Sequence, residues 1–223
     1  AFTGGTYQLS SSANITYTDT GDQDPYDRGL YVGDLAGILA QELYSTTGIA
    51  VSVKEGTAAA GGIALVLDPT LNENGRTDYY ELNVTDRITV KAATYAQLAA
   101  ATASVVQLLG TDGNCRQLAI RDWSQYQYRG MMIDNAREYN SVDAFRSYID
   151  LCRLYKVKYL QVHLSDDQGF TFPVSAYPRL NDYNLNGPKD PRQIVTFSLD
   201  EWRKLEMYSQ ARGVTIIPEM DSP

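Results

Sequence analysis

Residue types that carry chemistry are grouped at three places in this 223-residue sequence. Asp134 is followed by Arg137; His163, Asp166 and Asp167 fall within His163-Leu164-Ser165-Asp166-Asp167-Gln168-Gly169; Glu219 and Asp221 form the third group. His163 is the chain's single histidine, and histidine is the side chain whose charge changes most readily near neutral pH. Each group also has a plain structural reading. Arg137 could bridge Asp134 or Glu138 to steady a strand end, His163 could be a satisfied structural histidine, and Asp166 and Asp167 could cap a helix or face solvent. Adjacent carboxylates also suit a metal, but the further ligands it needs are not grouped with them. One histidine and two cysteines, Cys115 and Cys152, without CxxC spacing argue against an ordinary zinc site. No metal is expected, and the cysteines read as buried thiols.

Each group follows a short apolar run, at residues 129–134, 157–164 and 214–218. Carboxylates at the end of a buried strand are costly unless paired or solvated in a cleft, so packing alone does not explain them. Residues 142–155 have apolar side chains at helical spacing, with Ser141 as cap and Asp143 in the first turn. Residues 198–212 repeat the pattern, with Ser198 and Glu201 as a capping box and Gly213 as the stop. Strand, helix, strand, helix, strand demands a parallel sheet. In a (β/α)8 barrel the C-terminal strand ends open on one face, where its active sites lie. Residues 125–223 therefore read as the first part of such a barrel, about three βα units, incomplete against ~250 residues for a whole one. The polar loop at 183–195 is read as shaping the mouth of a substrate site or as binding nothing.

Residues 1–124 read as a small α+β domain. One or two strands lie in 6–17, followed by a turn at 21–25. An amphipathic helix covers 30–46 and stops at Gly48. Short strands follow at 49–53 and 63–67, then a hairpin of 79–84 with 87–91 across Thr85-Asp86. An alanine-rich helix at 95–109 packs on the same sheet. Catalytic residue types do not cluster here. Residues 120–128 read as a linker whose Trp123, Tyr126 and Tyr128 pack between the domains.

The hydrophobic fraction of 43% is enough for a proper core. A net charge of -8 argues against a nucleic-acid partner and leaves a neutral or cationic small ligand. Seventeen tyrosines against five phenylalanines suit sugars, which stack on ring faces and hydrogen-bond to hydroxyls, but are equally common in secreted β-rich proteins. No apolar run reaches the ~18 residues of a membrane span. The start at Ala1 and the Ser/Thr/Asn/Tyr-rich opening lean towards an exported protein, extracellular, cell-surface or periplasmic. No cofactor is implied, and the oligomeric state is left open.

Asp134-Asn135-Ala136-Arg137, the His163 to Gly169 block and Pro218-Glu219-Met220-Asp221-Ser222-Pro223 resemble motifs of the β-N-acetylhexosaminidases, glycoside hydrolase family 20. They stand in the family's order and near its spacing. Ala176-Tyr177-Pro178-Arg179-Leu180 resembles the segment after the second motif, and residues 79–109 resemble the small domain that precedes the family's barrel. The resemblance implies retaining hydrolysis of terminal β-linked N-acetylglucosamine or N-acetylgalactosamine, with the substrate's own acetamido oxygen as nucleophile. It makes Arg137 the clamp on the sugar hydroxyls and Asp166 the carboxylate that supports the acid/base through a histidine relay. His163 and Asp167 would orient the loop and, with Glu219 and Asp221, would touch the substrate or stand behind it. The family's catalytic Asp-Glu pair belongs to the fourth barrel strand, and its relay histidine follows the third motif. Both are expected beyond Pro223, so the chain is expected to be a portion of a longer enzyme, inactive alone. A lacto-N-biosidase of the same family and a non-catalytic carbohydrate-binding relative are the alternatives.

Overall fold

In Ile63–Leu67, Tyr80–Val84 and Ile88–Ala92 every second side chain is buried, which is how a sheet with one covered face reads in sequence. The computed structural model describes residues 2–18, 29–76, 78–182 and 196–221. The chain forms two compact units, Ala1–Gln127 with Ala211–Gly213, and Tyr128–Gln210 with Val214–Pro223. The turn read at 21–25 and the loop at 183–195 lie outside the described residues.

The first unit contains β1 (Phe2–Gln8), β2 (Asn14–Tyr17), α1 (Val32–Thr47), β3 (Ser52–Glu55), β4 (Ile63–Leu67), β5 (Tyr80–Val84), β6 (Ile88–Ala92), α2 (Tyr95–Leu108) and β7 (Asn114–Asp122). Its sheet runs in the order β1-β7-β5-β6-β4-β2-β3. Leu35, Leu39 and Leu43 of α1 and Leu98 and Val105 of α2 bury against Ile63, Leu65, Leu82 and Val90 of the sheet. Gly48, at φ 72°, ends α1 in the left-handed conformation that glycine adopts without a Cβ penalty. Thr94 and Gln97 form a reciprocal capping box at the start of α2. The expected hairpin is present as the antiparallel pair β5 and β6.

One reading changes here. Residues 114–122 are a strand, absent from the sequence reading, and its last residues occupy the start of the supposed linker. Its side chains do not alternate cleanly; it is a strand because β1 pairs along one edge and β5 along the other. Within the first unit the Arg76 guanidinium lies 3.5 Å over the Trp123 ring, and within the second Tyr128 stacks on Tyr159 with centroids 5.2 Å apart.

The second unit contains β8 (Gly130–Asp134), α3 (Val142–Leu154), β9 (Tyr159–His163), a short hairpin of β10 (Ser165–Asp166) and β11 (Gly169–Phe170), a 3₁₀ turn (Pro178–Asn181), α4 (Leu199–Gln210) and β12 (Thr215–Glu219). Strands β8, β9 and β12 form a parallel sheet with β9 in the centre. Ser141 caps α3 by accepting from Ala144 N at 3.2 Å. Ser198 and Glu201 cap α4 reciprocally at 3.2 and 2.8 Å. Phe145 and Ile149 of α3, Trp202 and Leu205 of α4 and Phe197 pack with Leu160 and Val162 of β9, joined by Ile133 and Ile216. Phe145 meets Phe197 edge-on, with centroids 5.4 Å apart. The architecture is α/β, a small α+β unit followed by the βαβαβ opening of a (β/α)8 barrel. Cys115 and Cys152 are buried free thiols, as expected, and burial pushes the Cys152 pKa up to about 11. Among the described residues no helix is long and apolar enough to cross a membrane.

Candidate active site

Strands β8, β9 and β12 start in step, Gly130 beside Tyr159 beside Thr215. Being five residues each, they also end in step: Asp134 lies opposite His163, and His163 opposite Glu219. Since Leu160 and Val162 face the helices, strand alternation turns Gln161 and His163 to the other face of β9. Neighbouring strands lie about 4.8 Å apart, so three polar side chains in one row are within bonding reach.

His163, only 6% exposed, holds both ring nitrogens against carboxylates. Nδ1 is 3.0 Å from Glu219 Oε1, and Nε2 is 3.0 Å from Asp166 Oδ2. With both carboxylates ionised each can only accept, an arrangement that favours the protonated ring with both nitrogens donating. Burial works against that charge, but the hydrogen bonds to Asp166 and Glu219 outweigh it and raise the His163 pKa above its ordinary value. Glu219 is held below the usual carboxylate range by the Gln161 amide, which donates to Oε2, and then by His163. Asp166 is held well below that range by His163, by Asp167 and by the charge of Arg137.

Arg137 spans two carboxylates. Nη1 donates to Asp134 Oδ2 at 2.7 Å, and Nη2 donates to Asp166 Oδ2. Asp134 Oδ1 accepts from the backbone N–H groups of Ala136 and Arg137 at 3.1 Å, which turns the chain sharply after β8. Burial would raise the Asp134 pKa, but the bonds from Arg137 more than offset it. The Arg137 side chain is 53% exposed, so its guanidinium borders solvent. The plain reading of Arg137 as a partner of Asp134 is thus present, joined to Asp166 across the site.

Buried polar groups fix the frame. Asn135 N and Ala136 N both donate to His163 O, at 2.9 and 3.1 Å. Asn135 Oδ1 accepts from Asn140 N at 2.7 Å, and Asn135 Nδ2 donates to Thr171 Oγ1 at 3.2 Å. Leu164 N donates to Glu219 O at 2.9 Å, and Ser165 Oγ accepts from Asp221 N at 2.7 Å.

Among the residues singled out from sequence, the structure joins Asp134, Arg137, His163, Asp166 and Glu219 in one hydrogen-bonded network. Asp167 is exposed at its rim, with its pKa raised first by a hydrogen bond with Asp166. Asp221 is exposed and tied in through its backbone, and its carboxylate lies within 4.8 Å of donor atoms of His163 and Glu219. No metal centre is assigned to these three: both His163 nitrogens lie at hydrogen-bond distance from carboxylates, and exposed acidic groups are common without an ion. Gln161, Asn135, Ser165 and Thr171 were missed. Gln161 had a usable signal, since it stands two residues before His163 and so shares its face. The others are single polar residues with nothing local to separate them from loop.

An acidic, arginine-clamped network at the C-terminal ends of parallel strands is the position of an active site in a barrel enzyme. The chain belongs to glycosyl hydrolase family 20: residues 126–223 match its catalytic domain and residues 1–123 its domain 2. It is 30% identical over 176 residues to a beta-hexosaminidase of Vibrio furnissii, covering 72% of this chain and 28% of that protein. Its fold is similar to that of the GH20 beta-N-acetylhexosaminidase of Streptomyces coelicolor, with TM-score 0.82, 25% identity and coverage of 100% of this chain and 44% of that one. The same coverage and identity hold for a mutant Streptomyces plicatus beta-hexosaminidase in complex with product (GlcNAc), at TM-score 0.81. The chain therefore spans less than half the length of these relatives.

Proposed function

We propose that the protein carrying this chain is a retaining exo-β-N-acetylhexosaminidase that releases terminal β-linked N-acetylglucosamine or N-acetylgalactosamine, with the substrate's acetamido group as nucleophile. Residues 1–124 form its small α+β domain and residues 125–223 the first part of its barrel. The observation that carries this reading is the Arg137–Asp166–His163–Glu219 network at the strand ends of a family 20 chain. Arg137 clamps the sugar hydroxyls, because its guanidinium is oriented by two carboxylates and still borders solvent. Asp166 is the supporting anion of the proton relay, and His163 and Glu219 hold it in place. Asp167 and Asp221 line the rim.

The charge states support an acid/base group supplied from outside these 223 residues. A general acid needs a pKa raised towards the working pH, whereas Asp134, Asp166 and Glu219 in the network are all lowered, and Asp167, which is raised, stands exposed at the rim. They act as permanent anions, and this chain alone does not turn over substrate. The enzyme works outside the cytoplasm, in keeping with the Ser/Thr/Asn/Tyr-rich opening.

The test compares an aryl N-acetyl-β-glucosaminide with the plain β-glucoside, using the longer protein and the 223-residue chain. Hydrolysis of the first substrate alone, by the longer protein alone, is expected. Equal rates on both substrates refute acetamido participation, and turnover by the 223-residue chain refutes the external acid/base. Release of a disaccharide without any monosaccharide turns the reading to a lacto-N-biosidase. Sugar binding without hydrolysis turns it to a non-catalytic relative.

A further inference from the structure

The row next to the site on the same sheet face is Met132, Gln161 and Ile217, paired in register across β8, β9 and β12. Two of its members are apolar and the central one is an amide. A half-buried amide beside apolar neighbours costs free energy unless it is hydrogen-bonded, so packing gives no reason for glutamine here. The Gln161 amide crosses diagonally to Glu219, donating Nε2 to Oε2. The other oxygen of the same carboxylate, Oε1, faces His163 Nδ1.

We infer that Gln161 is a positioning residue acting through Glu219: by holding Oε2 it keeps Oε1 against His163 Nδ1, so that the ring is turned with Nε2 towards Asp166. Glu219 needs such a hold. Its side chain is 33% exposed at a strand end, and a carboxylate with access to water regains rotamer freedom and hydration by swinging outward. The ring orientation reaches further, because the Asp166 oxygen that accepts from His163 also accepts from Arg137. The groups facing His163 are Asp134 from β8, Asp166 with Arg137 behind it, and Glu219 and Asp221 from β12 and its end. Only Glu219 is gripped by Gln161. The consequence for sugar binding rests on the hexosaminidase reading; the positioning itself does not.

His163 is the chain's single histidine, so its ring protons report on it alone in a proton NMR titration of the 223-residue chain without substrate. The variants are Gln161→Leu, Glu219→Gln and the two combined, with folding verified by circular dichroism. Gln161→Leu and Glu219→Gln should each move the His163 titration midpoint to lower pH, and Gln161→Leu should add no shift in the Glu219→Gln background. An unchanged or higher midpoint in folded Gln161→Leu overturns the inference, as does a further shift in the double variant. Should Gln161→Leu not fold, Gln161→Met keeps the chain length without the donor and is read identically. Failure of both to fold makes Gln161 a folding residue and overturns the positioning role. Hydrolysis is not read, so failure of the glycosidase proposal leaves this result standing.

Discussion

His163 and Glu219 are partners in register on adjacent parallel strands, with Nδ1 of one 3.0 Å from Oε1 of the other. The contact joins the end of β12 to the loop after β9, because the other nitrogen of the same ring meets Asp166. Arg137 then carries the chain of contacts to Asp134 at the end of β8. Three strand ends are thereby tied by alternating charges, an arrangement that keeps buried and half-buried ions compensated.

On the proposed function, replacing Arg137 with alanine in the longer protein should lower kcat/KM on the aryl N-acetyl-β-glucosaminide by on the order of a hundredfold, since the proposed charged donor to the sugar is lost. Arg137→Lys should recover only part of this, because an ammonium lacks the planar fork that spans Asp134 and Asp166. Steady-state kinetics decide it, and an unchanged kcat/KM would remove Arg137 from the substrate site.

The second unit should be most stable in a window bounded by opposite titrations. The His163 pKa is raised in the folded state, so its contribution is fully present below the unfolded value of about 6.5 and is lost as pH rises through the folded value. Asp134, Asp166 and Glu219 are lowered, so theirs is present above the unfolded values of about 4 and is lost as pH falls through the folded ones. Thermal unfolding followed across pH should show Tm falling on both sides. His163→Gln should abolish the alkaline fall and weaken the acid one without removing it, since His163 is one of the groups that lower Asp166 and Glu219; an alkaline fall that survives the substitution assigns it to another group.

Phe145 is fully buried and meets Phe197 and Tyr148 edge-on. Phe145→Ala should destabilise the second unit by about 3 to 5 kcal/mol, the usual cost of the lost burial and the cavity left behind. Trp202 lies in the same cluster, so its fluorescence during denaturant unfolding reports the change. A loss below about 1 kcal/mol would mean that the aromatic cluster collapses into the space.

Much of this molecule is written in short-range pattern. The 3.6-residue spacing of apolar side chains placed the helix at 142–155, found as Val142–Leu154, and the Ser198–Glu201 pair marked the start of α4. Periodicity and caps depend on residues within a turn or two of one another, so they survive as sequence signals. The three polar groups, their places at strand ends and the family they resemble were likewise read from the order of residues alone. Strand β7 was not, because its status comes from the partners on its two edges rather than from its own alternation. Nor was it legible that Arg137 joins Asp166, 29 residues away, or that Glu219 meets His163 across 56. Those pairs exist because α3 and α4 pack on one face of β8, β9 and β12 and fix their register, bringing Asp134, His163 and Glu219 into one row. Which residues carry charge, and which local elements hold them, follows from the order of residues. Which charges meet, and with that the raised pKa of His163 and the contact of Gln161 with Glu219, came from the tertiary structure, because strand register is set by packing between segments far apart in the chain.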